Sequence, residues 1–282
     1  MAQAMAGNEL SAMSLDDIVT NALKEDAEGD TYWGYVSHLQ KRGTPAVFER
    51  AAVLCSATDA PSRRLGLDIL AQLGVEVGRP FTEQALPIAT RLASDPDASV
   101  RVSALSALGH QWDPRALPTL LEHQFDSDPN VRWTVAQAIP SVLSSPPEVE
   151  AVAALLALMR DTDSDVRDWA TFGVGSLLEV DGDDIREALR ERLDDPDGDT
   201  AGEALVGLAR RRDLGIVERV RGLLSDSTVG NLTVEAAGEL ADPRLLPELK
   251  RLQGTSWSEH DPRGSLLRTA IAACQSGLPA EQ

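Results

Sequence analysis

Apolar residues recur along this chain with spacings of three and four, and Asp-rich polar clusters interrupt them at regular intervals. Over EVEAVAALLALMR (148–160), DIREALRERL (184–193) and GIVERVRGLL (215–224) the apolar positions fall at i, i+3, i+4 and i+7, the signature of an amphipathic helix. The segments LDDIVTNALKED (15–26), TYWGYVSHLQKRG (31–43), PAVFERAAVLCSA (45–57), SRRLGLDILAQLG (62–74) and FTEQALPIATRLA (81–93) read the same way. So does the last, GSLLRTAIAACQSG (264–277). No alternating β pattern appears, and the pattern predicts an all-α chain.

The helices are organised as a repeat. SDPDASVRVSALSALG (94–109), DSDPNVRWTVAQAIP (126–140) and DTDSDVRDWATFGVG (161–175) each place an Asp-rich turn before a Val-Arg pair and a helix. The pairs stand at 100–101, 131–132 and 166–167, steps of 31 and 35 residues. DDPDGDTAGEALVGLA (194–209) keeps the turn and Ala204 but has lost the arginine, and SDSTVGNLTVEAAGEL (225–240) is fainter still. The other half of the unit also recurs, as DPRALPTLLEHQ (113–124) and DPRLLPELKRLQ (242–253), where Asp113 and Asp242 are helix caps followed by proline in the first turn. Each unit is thus helix A, a short loop, helix B and an Asp-rich turn. Neither helix buries its apolar face alone, so neighbouring pairs must stack into one core.

This pattern resembles the HEAT-repeat family in its short bacterial form, including the repeats of the bilin lyases, with clear matches over about 60–253. The resemblance implies a right-handed α-solenoid and, for function, a binding scaffold. The expected layout is a disordered leader over 1–14, divergent helices or a cap over 15–60, and a solenoid over 61–282 ending in a capping helix. In such stacks the B helices line the concave face. Aligned on their arginine, Ala104, Val135, Ala170 and Ala204 face the A helices, as do Leu108, Ile139, Val174 and Leu208. The positions one, two and five residues on then point to the groove. These are Val102, Ser103 and Ser106; Trp133, Thr134 and Gln137; Asp168, Trp169 and Phe172; and Gly202, Glu203 and Val206. Trp112 and His110 stand at the end of one such helix and extend the candidate surface. The rings of Trp133, Trp169 and Phe172 are open to two readings, recognition anchors in the groove or filling between neighbouring B helices. Arg101, Arg132 and Arg167 are read as a structural ladder with Asp97, Asp128 and Asp163 or Asp165 in the preceding turns.

Charge narrows the choice of partner. The 282 residues carry 45 Asp and Glu against 26 Lys and Arg, a formal charge of −19. Such a field opposes nucleic acid and anionic membranes and favours a basic protein or peptide. The start, MAQAMAGNEL, has neither the basic nor the apolar region of a secretory signal, and two isolated cysteines, Cys55 and Cys274, suit a reduced, cytoplasmic setting. Oligomeric state is not readable from these features.

Chemistry is mostly excluded by spacing. DTDSD (161–165) and DDPDGD (194–199) lack the twelfth-position Glu of a calcium loop, since Phe172 and Val206 stand there. Four scattered histidines contain neither HExxH nor the His-Glu pairs of the HEAT-like deoxyhypusine hydroxylases, so no metal or other cofactor is expected. GVG at 173–175 has Leu178 where a dinucleotide loop needs its third glycine. The leading expectation is a non-catalytic scaffold whose Trp133, Gln137, Asp168, Trp169, Phe172 and Glu203 hold a basic partner. The alternative is a HEAT-like enzyme of the bilin lyase or DNA glycosylase type.

Overall fold

A computed structural model describes residues 7–253, 257 and 263–277. Among these residues the regular structure is entirely helical, and the chain divides into two compact units, Met1–Ser145 and Pro146–Gln282.

The first unit holds α1 (Gly7–Ala12), α2 (Leu15–Ala22), α3 (Asp30–Arg42), α4 (Pro45–Leu54), α5 (Ala60–Ala71), α6 (Thr82–Leu92), α7 (Ala98–Gln111), α8 (Leu117–Glu122) and α9 (Pro129–Ala138). Here α4, α6 and α8 are A helices, and α5, α7 and α9 are the B helices that follow them. The B helices lie side by side, α5 on α7 and α7 on α9, with α3 flanking α5. Residues 7–14, expected as part of a disordered leader, instead include α1. Leu10 is buried there, and Arg42 donates to the carbonyls of Leu10 and Met13 at 3.0 and 3.1 Å. The expected division at 60/61 separates α4 from α5, two helices that pack directly on each other, so the stack continues across it.

The second unit holds α10 (Val149–Leu158), α11 (Ser164–Phe172), α12 (Asp183–Arg192), α13 (Gly198–Arg210), α14 (Val217–Ser225), α15 (Asn231–Leu240), α16 (Leu246–Leu252) and α17 (Arg263–Ser276). Its B helices α11, α13 and α15 again form a row, which α17 continues against α15. The Asp-Pro-Arg openings behave as their composition predicts. Asp113 and Asp242 each accept the N–H two residues on, at 2.9 Å, with proline starting a 3₁₀ turn before α8 and α16.

Phase is what the alignment on arginine gets right. Ala104, Val135, Ala170, Ala204, Leu108, Ile139, Val174 and Leu208 are all fully buried. The GVG stretch is a packing device. Residues Gly173–Leu177 form one π-helical turn after α11, and a Cβ on Gly207 would stand 2.6 Å from the Cα of Gly175. Two bare backbones therefore meet where α11 ends against α13. Arg211, its side chain 6% exposed, donates to the carbonyls of Val174, Gly175, Leu178, Val180 and Gly207 and closes that turn.

Candidate functional site

Capping aspartates set the rotation of each B helix. Asp59, Asp97, Asp128, Asp163 and Asp197 accept backbone N–H bonds at 2.8–3.0 Å from Ser62, Ser99, Asn130, Asp165 and Thr200, the N-cap arrangement. Four residues after each cap stand Arg63, Arg101, Arg132 and Arg167, and then Ala201.

These arginines form the ladder, with different carboxylates from those expected. Asp97, Asp128 and Asp163 are occupied as caps and belong to the arginine's own helix. Arg101 instead donates to the carbonyls of Asp95 and Pro96 in its own turn, and bidentately to Asp126 of the following turn at 2.9 Å on both arms. Arg167 repeats this on the carbonyls of Asp161 and Thr162 and on both oxygens of Asp195 at 2.9 Å. Arg132 donates to the carbonyls of Asp126 and Ser127. Arg63 adds a further rung on Asp95 at 2.7 and 2.8 Å. Each described carboxylate partner lies one repeat downstream.

With the ladder facing one edge, the side chains just beyond it open onto the inner face of the row. In the first unit they line a cleft of about 650 Å³. Val102, Ser103 and Ser106 come from α7, and Asn130, Trp133, Thr134 and Gln137 from α9, so all six groove positions predicted for these two helices lie on one wall. Glu28, Trp33, Arg64 and Asp68, with Ala98, Ser99 and Asp128 at the helix starts, complete it. Asp68 is 5% exposed and accepts the Tyr32 hydroxyl at 2.6 Å. Burial pushes its carboxyl above the usual range, against hydrogen bonds from Ser103 and Tyr32 and the charge of Arg64. Arg64 donates to Glu28 at 2.6 Å.

Asp168, Trp169, Phe172 and Glu203 belong to the second unit. Trp169 and Phe172, both half-buried on α11, meet edge to face with centroids 5.6 Å apart. One oxygen of Asp168 is buried without a hydrogen-bond partner. Burial, then the charges of Asp197, Asp199 and Asp165, push this carboxyl up to about 6. Glu203 on α13 is pushed up to about 7 by burial and then by Asp168, Glu235 and Asp199. Glu235 on α15 is raised by burial and then by Glu239. A row of strained carboxylates thus crosses α11, α13 and α15. Trp112 is not part of the cleft lining: it is 63% exposed, with the Arg79 guanidinium 3.7 Å from its ring centroid. The neighbouring His110 ring bonds the Ser106 carbonyl of its own helix at 2.8 Å.

Arg64 and Asp68 carried a signal that sequence reading passed over. Asp59 stands four residues before Arg63, as Asp97 does before Arg101, and this phase puts Arg64 and Asp68 on the groove. Trp33, Tyr32 and Glu28 carried none, because α3 opens on Gly29 with no side-chain cap. Among the described residues no group of histidine, cysteine or acidic side chains is placed to hold a metal, and no helix is long and apolar enough to cross a membrane.

Comparison with known proteins agrees with this architecture. The family model for HEAT repeats matches residues 85–175. Protein YibA of Escherichia coli strain K12 is 31% identical over 218 residues, 75% of each chain. The X-ray structure of E. coli YibA aligns with a TM-score of 0.73 at 27% identity, covering 95% of both chains. An archaeal HEAT-like repeats protein from Thermococcus onnurineus NA1 shares the fold at 16% identity, with a TM-score of 0.52 over 83% of this chain and 98% of that one. Stacked helix pairs, the phased Asp and Arg positions and these likenesses place the chain in the HEAT-repeat family, as a relative of YibA.

Proposed function

We propose that this chain is a non-catalytic scaffold that holds a basic protein or peptide segment against the inner faces of its B helices. The observation that carries the reading is the cleft of the first unit, lined by two tryptophans and three carboxylates, Glu28, Asp68 and Asp128, against one arginine. Indole rings bury much area at little cost in conformational freedom, and the carboxylates set the sign of what they meet. The acidic row of the second unit supports the same sign. Asp168, Glu203 and Glu235 are held toward their neutral forms by burial and by other carboxylates, and an arriving Lys or Arg offsets the repulsion among them. The formal charge of −19 steers basic partners inward and opposes nucleic acid and anionic membranes, which suits a cytoplasmic protein-binding role. Stacked helices supply a preformed surface, so little ordering accompanies binding.

Selection of a random peptide library on the immobilised full chain tests this. The expected output is rich in Lys and Arg. Its affinity should fall about tenfold or more between ~50 and ~500 mM salt, and Trp133→Ala/Trp169→Ala, at unchanged melting temperature, should abolish retention. An output without excess Lys or Arg, or one held equally by the double variant, refutes the reading. Turnover of a bilin or an alkylated base by the purified chain refutes its non-catalytic part.

A further inference from the structure

We infer that the side chain received by the cleft of the first unit is an arginine. The inference rests on the scaffold reading and names the residue type the partner presents.

The lining carries an excess of negative charge, three carboxylates against one guanidinium, beside neutral groups that can accept as well as donate. Glu28, Asp68 and Asp128 supply carboxylates, Asn130 and Gln137 amide oxygens, and Ser99, Ser103, Ser106 and Thr134 hydroxyls. The one charged donor is partly engaged: Arg64 bonds Glu28 at 2.6 Å, and its buried Nε, 3.7 Å from Asp68, has no hydrogen-bond partner. The hydroxyls are engaged too: Ser99 donates to Asp97, Ser103 to Asp68 and Thr134 to the Asn130 carbonyl, and Ser106 Oγ lies 3.4 Å from the His110 Nδ1. Asp68 belongs to the floor, committed to Tyr32. The outer acceptors are therefore Glu28, whose side chain is 76% exposed beside Arg64, and Asp128, one oxygen of which accepts the Asn130 N–H at 2.8 Å. Trp33, 43% exposed, and the part-exposed Trp133 supply flat apolar surface beside them.

That combination selects a guanidinium over an ammonium. Arginine carries five N–H donors in a planar fork, its plane stacks on indole, and it stays charged when partly desolvated. Lysine offers three donors around a point charge and no flat face. A neutral isostere leaves the cleft's excess carboxylate charge uncompensated. The chain shows both contact modes within itself: the Arg79 guanidinium lies 3.7 Å over Trp112, and Arg101 grips Asp126 with both arms.

The test is a titration of the ¹⁵N-labelled full chain with the blocked tripeptide Ac-Gly-Arg-Gly-NH₂ and its lysine and citrulline counterparts. The indole N–H signals of Trp33 and Trp133, assigned with Trp33→Phe and Trp133→Phe, are the readout. Saturable shifts of both are expected with the arginine peptide, with binding about tenfold weaker for lysine and citrulline. Asp128→Asn keeps a competent helix cap while removing the charge, and should weaken the arginine peptide by a similar factor without moving the melting temperature. Equal binding of lysine or citrulline, unchanged binding to Asp128→Asn, or no saturable shift at either indole overturns the assignment. A peptide library enriched in Lys as strongly as in Arg sinks this inference alone and leaves the scaffold reading standing.

Discussion

At Arg211 one side chain serves five backbone carbonyls around a π-helical turn, and burial lowers its pKa. Arg211→Ala leaves those acceptors buried without a donor, for an expected loss of about 3–5 kcal/mol in urea unfolding. Arg211→Lys should recover only part of it, because three donors cannot replace a planar fork. Asp168 and Glu203 act in the opposite sense. Their carboxyls rise in the folded chain from 3.8 to about 6 and from 4.5 to about 7. Between those values the folded chain binds more protons than the unfolded one, so the stability they contribute at low pH is lost as pH rises through 6–7. Asp168→Asn should therefore raise the melting temperature at pH 8 by about 2–4 °C, the equivalent of about 1 kcal/mol once solvent screening is allowed for, and change little near pH 4. Asp195 has the other sign. The bond from Arg167 holds it below its usual range, and its contribution disappears as the medium is acidified through that depressed value. None of these three environments was legible in the sequence, because each depends on what a neighbouring repeat brings to the side chain.

Helices were more legible than side-chain environments, because spacing alone marks which face is buried. The capping aspartates and the two Asp-Pro-Arg openings fixed where several helices start. The π turn at 173–177 was not visible, since Gly-Val-Gly there satisfies backbone packing that no local pattern reports. Close approach is also the theme where α4 meets α5. A Cβ on Gly66 would lie 2.7 Å from both the Ala51 carbonyl oxygen and the Cys55 Sγ. Gly66→Ala should cost about 1–3 kcal/mol through overpacking. Gly222→Ala in α14, where nothing lies within 4 Å, should stabilise by about 0.5–1 kcal/mol through helix propensity. Thermal melts of the two variants separate contact from propensity.

For the whole molecule, the all-α repeat class follows from pattern, while its division does not. The boundary at 60/61, drawn between divergent N-terminal helices or a cap and the clear repeats, falls at the junction of α4 and α5, and the two compact units part at Ser145 and Pro146, within the Ser-Ser-Pro-Pro run at 144–147. The α7 and α9 side of the cleft was readable because those helices carry the Asp and Arg phase markers; α5 carries the same markers at Asp59 and Arg63, so Arg64 and Asp68 were within reach, whereas α3 opens on glycine and marks nothing. Rungs that join only adjacent repeats make stability a sum of neighbour terms. Asp195→Asn should accordingly speed amide hydrogen exchange in α11 and α13 and leave α5 and α7 unchanged. The direction of those rungs has a temporal consequence. Arg63, Arg101 and Arg167 find their carboxylates at Asp95, Asp126 and Asp195, always further along the chain. On a ribosome each of these three guanidiniums is synthesised before its counter-charge, so these rungs close only once the following repeat has emerged. The series of rungs ends at Ala201, where alanine stands in the arginine's place.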